Sequence, residues 1–439
     1  MAMSNRRLLR LTAGFSLAVT ALAACSESTA PDSAAPGGAV SGDVSVMAVW
    51  TGEERAAFQA VLDGFTRDHP GVRVTYTSAG NNLPTVLGTA VEGGDPPDLA
   101  VVPQPALVTQ FRERGALKPL DFLRAGVEAD FPPDIARIGV ADGHMYSFVF
   151  KAANKSTLWY NVAAFEDAGV KPPGTWDELI AAAGTLKAAG TPAYAIAGAD
   201  GWTLTDLFEN IYLRQAGPEK YDQLAAHEIP WTDPSVVAAL RTMTQVLGDS
   251  ANIAGGTTGA LQTDLPTASA KVLSDKPSAA VVIEGDFVPT AIADNPAVKG
   301  GEHYAVVPFP SIGGSDPATV VGGGDSVVMF ADSPASRALA TYLTTPAAAR
   351  IWAERGGFSS PNRQLPGDAY PDELARTTAN AVANAKTFRF DMSDLAPVAF
   401  GGTAGQGEFK LLQDLLANPS DVDGTAKRLE AAAAAAYGG

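Results

Sequence analysis

The stretch around Trp202 combines an aromatic ring with carboxylates, a combination that suits recognition of a polar ring. A predicted strand over 191–196 leads into a glycine-containing turn at 198–202. An indole face can stack on the apolar C–H face of a pyranose, while Asp200 or Asp206 accepts hydroxyl protons. The alternative is that Trp202 packs beneath a loop, which is the commoner outcome for a lone tryptophan.

The carboxylates that could perform acid–base chemistry are few. Glu284 and Asp286 stand two apart at the end of a predicted strand over 279–284, and Asp325 could oppose them as in a glycosidase. Nothing in the sequence indicates that the pKa of either carboxylate is raised. A glycoside hydrolase is therefore carried only as the alternative to a protein that binds without catalysis.

Other enzyme classes find no support in the residues. The chain has no G-x-S-x-G elbow, and its four histidines are scattered without metal-ligand spacing. We therefore expect no metal and no cofactor. The full chain carries a net charge of −17 and no basic patch, which argues against nucleic-acid binding.

The N-terminus has the plan of a lipoprotein signal over 1–24. Residues 1–10 carry three arginines and no acid, and 11–23 form an uncharged apolar run too short to span a bilayer comfortably. Cys25, the single cysteine, follows directly and is the predicted lipidation site. Residues 25–42, rich in Pro, Gly and Ser, are predicted to be a disordered tether. The alternative is an ordinary signal peptide that happens to precede a cysteine.

Strand and helix patterns alternate after the tether. Strands are predicted over 43–50, 72–76 and 99–102, with helices between them, which indicates a parallel sheet. Ligands of open α/β sheets bind beyond the carboxyl ends of the strands. That rule predicts one rim that carries Trp50, Asn81 and Gln104. About 400 residues follow the tether, a length that suits two lobes better than one core.

The segment 148–190 is the one around which the chain is organised. An apolar run over 145–150 is followed by a polar interruption at 151–156 and a second strand at 157–160. We interpret 148–156 as the crossing from one lobe to the other, beside which a cleft opens. Two Thr-x-x-Glu patterns predict capping boxes at helix starts: Thr51 with Glu54, and Thr175 with Glu178.

The string LWYNVAAFEDAGVKPPGTWDEL over 158–179 resembles the crossover segment of extracellular solute-binding proteins of carbohydrate ABC importers. EGGDPPDLAVVPQP at 92–105 is similar to the same family, and 216–235 and 388–394 resemble its α-glucoside-binding branch. The resemblance implies an α/β, two-lobe periplasmic-binding-protein-like fold (type II, maltose-binding-protein-like) with a hinge between discontinuous lobes. The expected first lobe takes 43–150 and 326–370, and the second takes 151–325 and 371–439.

The resemblance also implies ligand contacts in the second lobe and in the crossings. They are expected at Asp286 and Phe287 after a strand, at Asp325 in the return crossing, and at Arg389 and Asp391 in FRFDMSD. Gly323, in the glycine run, and Phe358, in a first-lobe loop expected at the cleft, are further candidates by their position. Three alternatives remain open: helix capping for Asp286, a turn role for Asp325 and an internal ion pair for Arg389. The glycines at 322–324 allow positive φ, close backbone approach or a hinge.

The string 79–82 lacks the charged residue expected from the α-glucoside branch, and Lys151 and Lys155 either compensate for it or are surface charges. The complete predicted ligand set is Trp50, Asn81, Gln104, Lys151, Trp202, Asp206, Asp286, Phe287, Gly323, Asp325, Phe358, Arg389 and Asp391.

The function that the resemblance implies is capture of a solute and its delivery to a membrane permease. The expected ligand is a neutral oligosaccharide, an α-glucoside such as a maltose- or trehalose-like disaccharide, and another small solute is the alternative. We expect a monomer without cofactors, held by a lipid anchor on the extracytoplasmic face of a bacterial cell membrane.

Overall fold

The computed structural model describes residues 40–383 and 385–438. The predicted signal, tether and lipidation site at Cys25 lie outside the described residues, apart from the last three positions of the tether. The described part contains strands β1 Gly42–Ala48, β2 Val72–Ser78, β3 Leu99–Val102, β4 Val140–Ala141, β5 His144–Met145, β6 Ser147–Asn154, β7 Thr157–Asn161, β8 Val281–Ile283, β9 Tyr304–Pro308, β10 Thr319–Met329 and β11 Thr387–Phe390.

Helices account for most of the remaining described chain. They are α1 Gly52–Asp68, α2 Leu83–Glu92, α3 Pro105–Glu113, α4 Asp121–Asp130, α5 Pro133–Ala136, α6 Val162–Ala168, α7 Trp176–Ala188, α8 Trp202–Ala216, α9 Pro218–Ala225, α10 Pro234–Leu247, α11 Gly256–Ala260, α12 Leu265–Val272, α13 Pro334–Leu343, α14 Pro346–Ala353, α15 Glu373–Ala383, α16 Met392–Leu395, α17 Val398–Gly401, α18 Gly407–Ala417 and α19 Val422–Tyr437. None of the helices in the described part is long and apolar enough to cross a membrane.

A six-stranded sheet forms the centre of what we call the first lobe. Its order is β11-β10-β3-β1-β2, and β6 also pairs with β10. Strands β1, β2 and β3 are parallel, as the alternating pattern predicts, whereas β10 runs antiparallel to β3. Val101 and Val327 pack into one apolar cluster, while Ala100 and Val328 pack into another. Because neighbouring strand residues point to opposite faces, this sheet is buried on both sides.

The second lobe is built on a three-stranded sheet of order β8-β7-β9. Helices α7, α8 and α10 pack beside it in an apolar cluster that includes Phe208 and Trp231. The predicted strand over 191–196 is wrong: this segment forms only isolated bridges, from Tyr194 to Ile253 and Val281.

The crossing between the lobes is made by extended chain that pairs with β10. The predicted polar interruption at 151–156 does not end the strand, because β6 continues to Asn154. β6 pairs with β10 in antiparallel register, and β11 pairs with the first half of β10 in parallel register. Each crossing therefore satisfies backbone hydrogen bonds of another crossing.

The three consecutive glycines lie inside β10, and none of them has a positive φ. Their small size matters for another reason. A Cβ would lie 2.2 Å from Phe388 at Gly322, 2.9 Å from Lys155 at Gly323 and 2.6 Å from Val149 at Gly324. The close approach that the glycines allow is thus between the crossing strands and their own side chains.

One of the two predicted capping boxes is confirmed. The Thr175 hydroxyl accepts from Glu178 N, and the Glu178 carboxylate accepts from Thr175 N, at the start of α7. At α1, Thr51 is the N-cap residue but makes no side-chain cap, so that prediction is wrong. The Glu54 carboxylate accepts instead from Lys151 Nζ at 2.6 Å. Glu54 thus bonds to the ammonium group of Lys151, which is 97 positions away in the sequence, and not to the backbone N–H of Thr51 as a capping box requires.

Candidate functional site

A cavity of about 440 Å³ lies between the two lobes. The first lobe contributes Trp50, Glu54, Asn81 and Gln104 from the ends of its strands and the helices that follow. Residues of the second lobe lie opposite, and Lys151, Lys155 and Asp325 come from the crossing segments. The second-lobe set includes Asp200, Trp202, Asp264, Leu265, Phe287, Asp394, Gly402 and Phe409.

Lys151 is a positive charge of the cavity wall and pairs with a first-lobe carboxylate. Its ammonium group pairs with Glu54 and lies 5.3 Å from the ring centroids of both Phe287 and Trp352. Burial disfavours the charged form, but the charges of Glu54 and Asp325 outweigh it, so the pKa of Lys151 lies above its ordinary value. Lys151 is therefore a protonated, ion-paired residue and not a surface charge.

Asp325 faces Lys151 across the paired crossing strands. Its Oδ2 accepts from the indole Nε1 of Trp50 at 3.2 Å. Burial raises the pKa of the Asp325 carboxyl to about 6, although Lys151 opposes that shift. A carboxyl with such a pKa can act as an acceptor or, in mildly acidic solution, as a donor toward a bound molecule.

Lys155 forms a second and denser charge group. Its Nζ bonds to Asp391 and, at 3.1 Å, to Asp206 Oδ1, and it lies 3.6 Å from Asp394 Oδ2. Desolvation lowers the pKa of Lys155, but the three carboxylates together raise it well above its usual range. The same ammonium group lies 5.5 Å from the ring centroid of Trp202. It thus ties α8, β11 and α16 together beneath the cavity.

Trp202 begins α8 and is half-buried. Its ring meets Phe287 edge to face, with centroids 6.0 Å apart. A ring that keeps part of its surface open in a cavity can stack on an apolar ligand face. The alternative of a tryptophan packed wholly beneath a loop does not describe this position.

Seven of the thirteen predicted ligand residues line the cavity: Trp50, Asn81, Gln104, Lys151, Trp202, Phe287 and Asp325. The structure places the other six outside its lining: Asp206, Asp286, Gly323, Phe358, Arg389 and Asp391. The cavity brings together residues that are far apart in the sequence, such as Trp50 and Asp325, which are 275 positions apart.

Two of the six lie behind Lys155, and a third is covered by it. Asp206 and Asp391 are the partners of its ammonium group, and Asp391 also caps α16 by accepting from Asp394 N at 3.1 Å. Gly323 is covered by the aliphatic part of Lys155. These residues shape the cavity floor without reaching its surface.

The other three have structural contacts of their own. Asp286 accepts from Asn154 N at 3.1 Å and from the Ser359 hydroxyl, which is neither ligand binding nor helix capping. Phe358 is buried against Phe150, with ring centroids 5.5 Å apart. Arg389 pairs with Asp222 at 2.6 Å on the surface, so an Arg–Asp pair is the account that fits it.

For some lining residues, the local sequence pattern does not indicate a place in the cavity. Glu54 fits a helix cap by spacing, and Asp264 does cap α12, accepting from Thr267 N at 2.9 Å. Phe409 reads as one apolar position of α18, and Gly402 as a turn residue. Only the packing of the two lobes shows that these side chains and this backbone meet at one cavity.

Two hydrogen bonds join the lobes beside the cavity. Asn81 Nδ2 donates to Asp200 Oδ1 at 3.2 Å, and Gln104 Nε2 donates to the carbonyl of Gly402 at 3.3 Å. The other amide atom, Gln104 Oε1, is buried without a partner in the described part of the chain. The absence of a side chain at residue 402 permits this approach, because a Cβ there would lie 2.9 Å from Gln104 Nε2.

Comparisons with known proteins agree with this architecture. Residues 50–350 match the family model of the bacterial extracellular solute-binding protein. The osmoprotective compounds-binding protein GgtB of Synechocystis sp. is 32% identical over 372 residues, which are 83% of this chain and 86% of that protein. The alpha-glucosides-binding periplasmic protein AglE of Rhizobium meliloti is 30% identical over 382 residues, 83% of this chain and 81% of that one.

Solved structures show the same fold. A chitin oligosaccharide binding protein aligns with a TM-score of 0.75 at 21% identity, over 91% of this chain and all (100%) of the other. The GacH receptor of Streptomyces glaucescens aligns with a TM-score of 0.70 at 20% identity, over 91% and 99%. The fold is thus the two-lobe, maltose-binding-protein-like fold that the sequence predicts, and the chain belongs to the bacterial extracellular solute-binding protein family.

Proposed function

We propose that this protein is the solute-binding component of an ABC importer and captures a neutral oligosaccharide of the α-glucoside class. It holds the sugar in the interlobe cavity and delivers it to membrane permease subunits outside the cytoplasm. Relatives named for alpha-glucosides and for ABC transporter binding support this reading. It binds the sugar without altering it.

The observation that carries the proposal is the composition of the cavity wall. A half-buried tryptophan, Trp202, lies beside Phe287, and carboxylates approach from both lobes. Aromatic rings suit the C–H faces of a pyranose, and carboxylate or amide oxygens accept its hydroxyl protons. Neither element alone would favour a sugar over another solute.

Closure of the lobes on the ligand is the proposed mechanism. Gln104 and Asp200 already touch the opposite lobe, so small changes in the interlobe angle make or break these contacts. A buried acceptor without a donor, such as Gln104 Oε1, destabilises the state that contains it. A ligand that supplies donors and contacts both lobes shifts the equilibrium toward closure.

Purified protein incubated with maltose or trehalose tests both binding and chemistry. Binding raises the melting temperature in differential scanning fluorimetry, because the ligand stabilises the folded state alone. The proposal expects this stabilisation without release of glucose. Released glucose would instead identify a hydrolase, and absence of any shift across a panel of neutral disaccharides would contradict the proposal.

Attachment to the membrane through Cys25 is part of the same proposal. It predicts that wild-type protein partitions with membranes and that Cys25→Ala is released in soluble form. Equal partitioning of the two forms would refute the anchor without affecting the sugar site. We also propose that the lobe boundaries lie at 150/151, 325/326 and 370/371. Distances between pairs of spectroscopic labels test this, since a distance within one lobe should stay constant on ligand binding while a distance between the lobes changes.

A further inference from the structure

The charges of the cavity wall constrain which solutes it can hold. Two ammonium groups, of Lys151 and Lys155, are part of the wall. Carboxylates outnumber them, and these are Glu54, Asp200, Asp264, Asp325 and Asp394. The excess of acid has the same sign as the net charge of the whole chain, −17.

Both lysines already have protein carboxylates as partners. Lys151 pairs with Glu54 at 2.6 Å, and Lys155 is held by Asp206 and Asp391 behind the wall. An ammonium group that is compensated in this way gains little from a second anion, whereas the anion loses its hydration on entering the cavity. An acidic ligand therefore finds no free counter-ion here.

Three wall carboxylates, in contrast, have no ion-pair partner within the described residues. Asp200 accepts from Asn81 Nδ2 at 3.2 Å and from Leu265 N at 2.7 Å. Asp264 accepts from a helix N–H, and Asp325 accepts from the Trp50 indole. Neutral donors stabilise a carboxylate but leave its charge in place, and burial raises the pKa of both Asp200 and Asp325.

The amide oxygen of Gln104, which has no hydrogen-bond partner among the described residues, independently indicates that the cavity has a surplus of acceptors. The side chain is 6% exposed, and the Gly402 carbonyl fixes its nitrogen because a carbonyl can only accept. The remaining atom, Oε1, is an acceptor without a donor. Among the described residues, the wall thus has more acceptors than donors, and its two positive charges are already paired with protein carboxylates.

We infer that the site prefers glycosides that carry a basic amino group over neutral glycosides of the same size, and rejects acidic ones. This inference rests on the proposed function, since it concerns the ligand of the same cavity. An alkylammonium group supplies three donors and the missing charge. The carboxylates without an ion-pair partner among the described residues, Asp200, Asp264 and Asp325, are the groups that such a cation would meet in the wall.

A matched series of disaccharides tests the inference by isothermal titration calorimetry. The probes are trehalose, 6-amino-6-deoxytrehalose and the trehalose derivative oxidised to a carboxylate at C6. The amino derivative is expected to bind at least about threefold tighter than trehalose and the acid at least about threefold weaker. Both differences are expected to shrink in high salt, because salt screens charge interactions.

Each outcome decides a different claim. Trehalose binding with no preference for the amino derivative overturns this inference and leaves the proposed function intact. Tighter binding of the acid overturns it as well. If neither trehalose nor its amino derivative binds, and the neutral disaccharide panel fails too, the proposed function falls together with the inference.

Substitution of a wall carboxylate gives a second readout. In Asp264→Asn the new side chain still caps α12, because Asn is as good an N-cap as Asp, but the charge is removed. The ratio of amino-derivative to trehalose affinity is expected to fall by roughly a factor of two. Asp233→Asn, at the N-cap of α10 and outside the cavity lining, is the matched control that leaves the ratio unchanged. A ratio that does not change in Asp264→Asn combined with Asp200→Asn overturns the inference.

Discussion

Lys151 and Lys155 are four residues apart, yet their surroundings differ in kind. Lys151 has one ion-pair partner, Glu54, whose side chain is 28% exposed. Lys155 has Asp206 and Asp391, whose side chains are 2% and 0% exposed, and Asp394 nearby. Glu54 can turn toward solvent if its pair with Lys151 is broken, whereas Asp206 and Asp391 are buried and depend on Lys155 as their counter-ion.

The difference separates two roles within one stretch of chain. The Lys155 group joins α8 to β11 and α16, so it holds the second lobe to the crossing strands. Lys151 lines the cavity and lies over the rings of Phe287 and Trp352, so its ion pair with Glu54 is part of the cavity wall. A buried charge cluster around Lys155 and a partly exposed ion pair of Lys151 with Glu54 therefore lie side by side.

Removal of the Lys155 ammonium is the largest expected effect. Lys155→Met leaves Asp206 and Asp391 buried without a counter-ion, and the free energy of unfolding is expected to fall by about 3–5 kcal/mol. Urea titration followed by circular dichroism measures it. Lys410→Met removes an exposed pair with Asp414 and is the control, for which little change is expected. A similar loss in both variants would mean that the cluster is not a structural tie.

Lys151→Met is expected to cost less, about 1–3 kcal/mol, because Glu54 can turn toward water. The same urea titration applies. The double variant Lys151→Met/Glu54→Gln should recover part of the loss, since the carboxylate that Lys151 pairs with is removed together with it. If Lys151→Met is more destabilising than Lys155→Met, then Lys151, and not Lys155, makes the larger contribution to the stability of the fold.

The aromatic partner of Lys155 gives a third test, on binding instead of folding. Trp202→Ala should weaken sugar affinity by about 1–3 kcal/mol through loss of buried contact area, as measured by calorimetry. Trp231→Phe, a conservative change in the second-lobe core, controls for general loosening. Unchanged affinity in Trp202→Ala would rule out stacking on this ring.

The smallest expected effect is a pH dependence of the free energy of unfolding, which tests how far Lys151 compensates the charge of Asp325. The pKa of Asp325 is about 6 in the folded protein and lies near 4 when the chain is unfolded. The folded state therefore binds the proton more tightly, and the contribution of Asp325 to stability falls as pH rises from about 4 to about 6. Stability of wild type minus that of Asp325→Asn should decrease over this window. A flat difference would show that Lys151 compensates Asp325 fully.

The sequence predicts the parts of this molecule that depend on neighbours along the chain. The parallel strands before Trp50 and Gln104, and the Thr175–Glu178 box, follow from local patterns, and so both rim residues were expected at the cavity. Family resemblance supplied Phe287 and Asp325, which no local pattern singles out.

Contacts between distant segments account for the errors. Glu54 fits a cap until Lys151, 97 positions away, provides a charged donor. The carboxylates of Asp206 and Asp391 could accept hydrogen bonds from a sugar, but both bond to the ammonium group of Lys155 instead. The spacing of residues does not reveal which of several acids a single lysine will bind, because that depends on how the lobes pack.

The pairing of β6 and β11 with β10 also limits how the lobes can move. Separate single-chain connections would rotate freely, but β10 pairs with β6 at seven positions, with one register shift between Asp325 and Ser326, and this ribbon resists sliding of one strand past the other. Such a ribbon flexes easily only across its face. If the lobes close on a ligand as proposed, we expect the motion to be a bend of this ribbon, which the distance between a dye on each lobe would report.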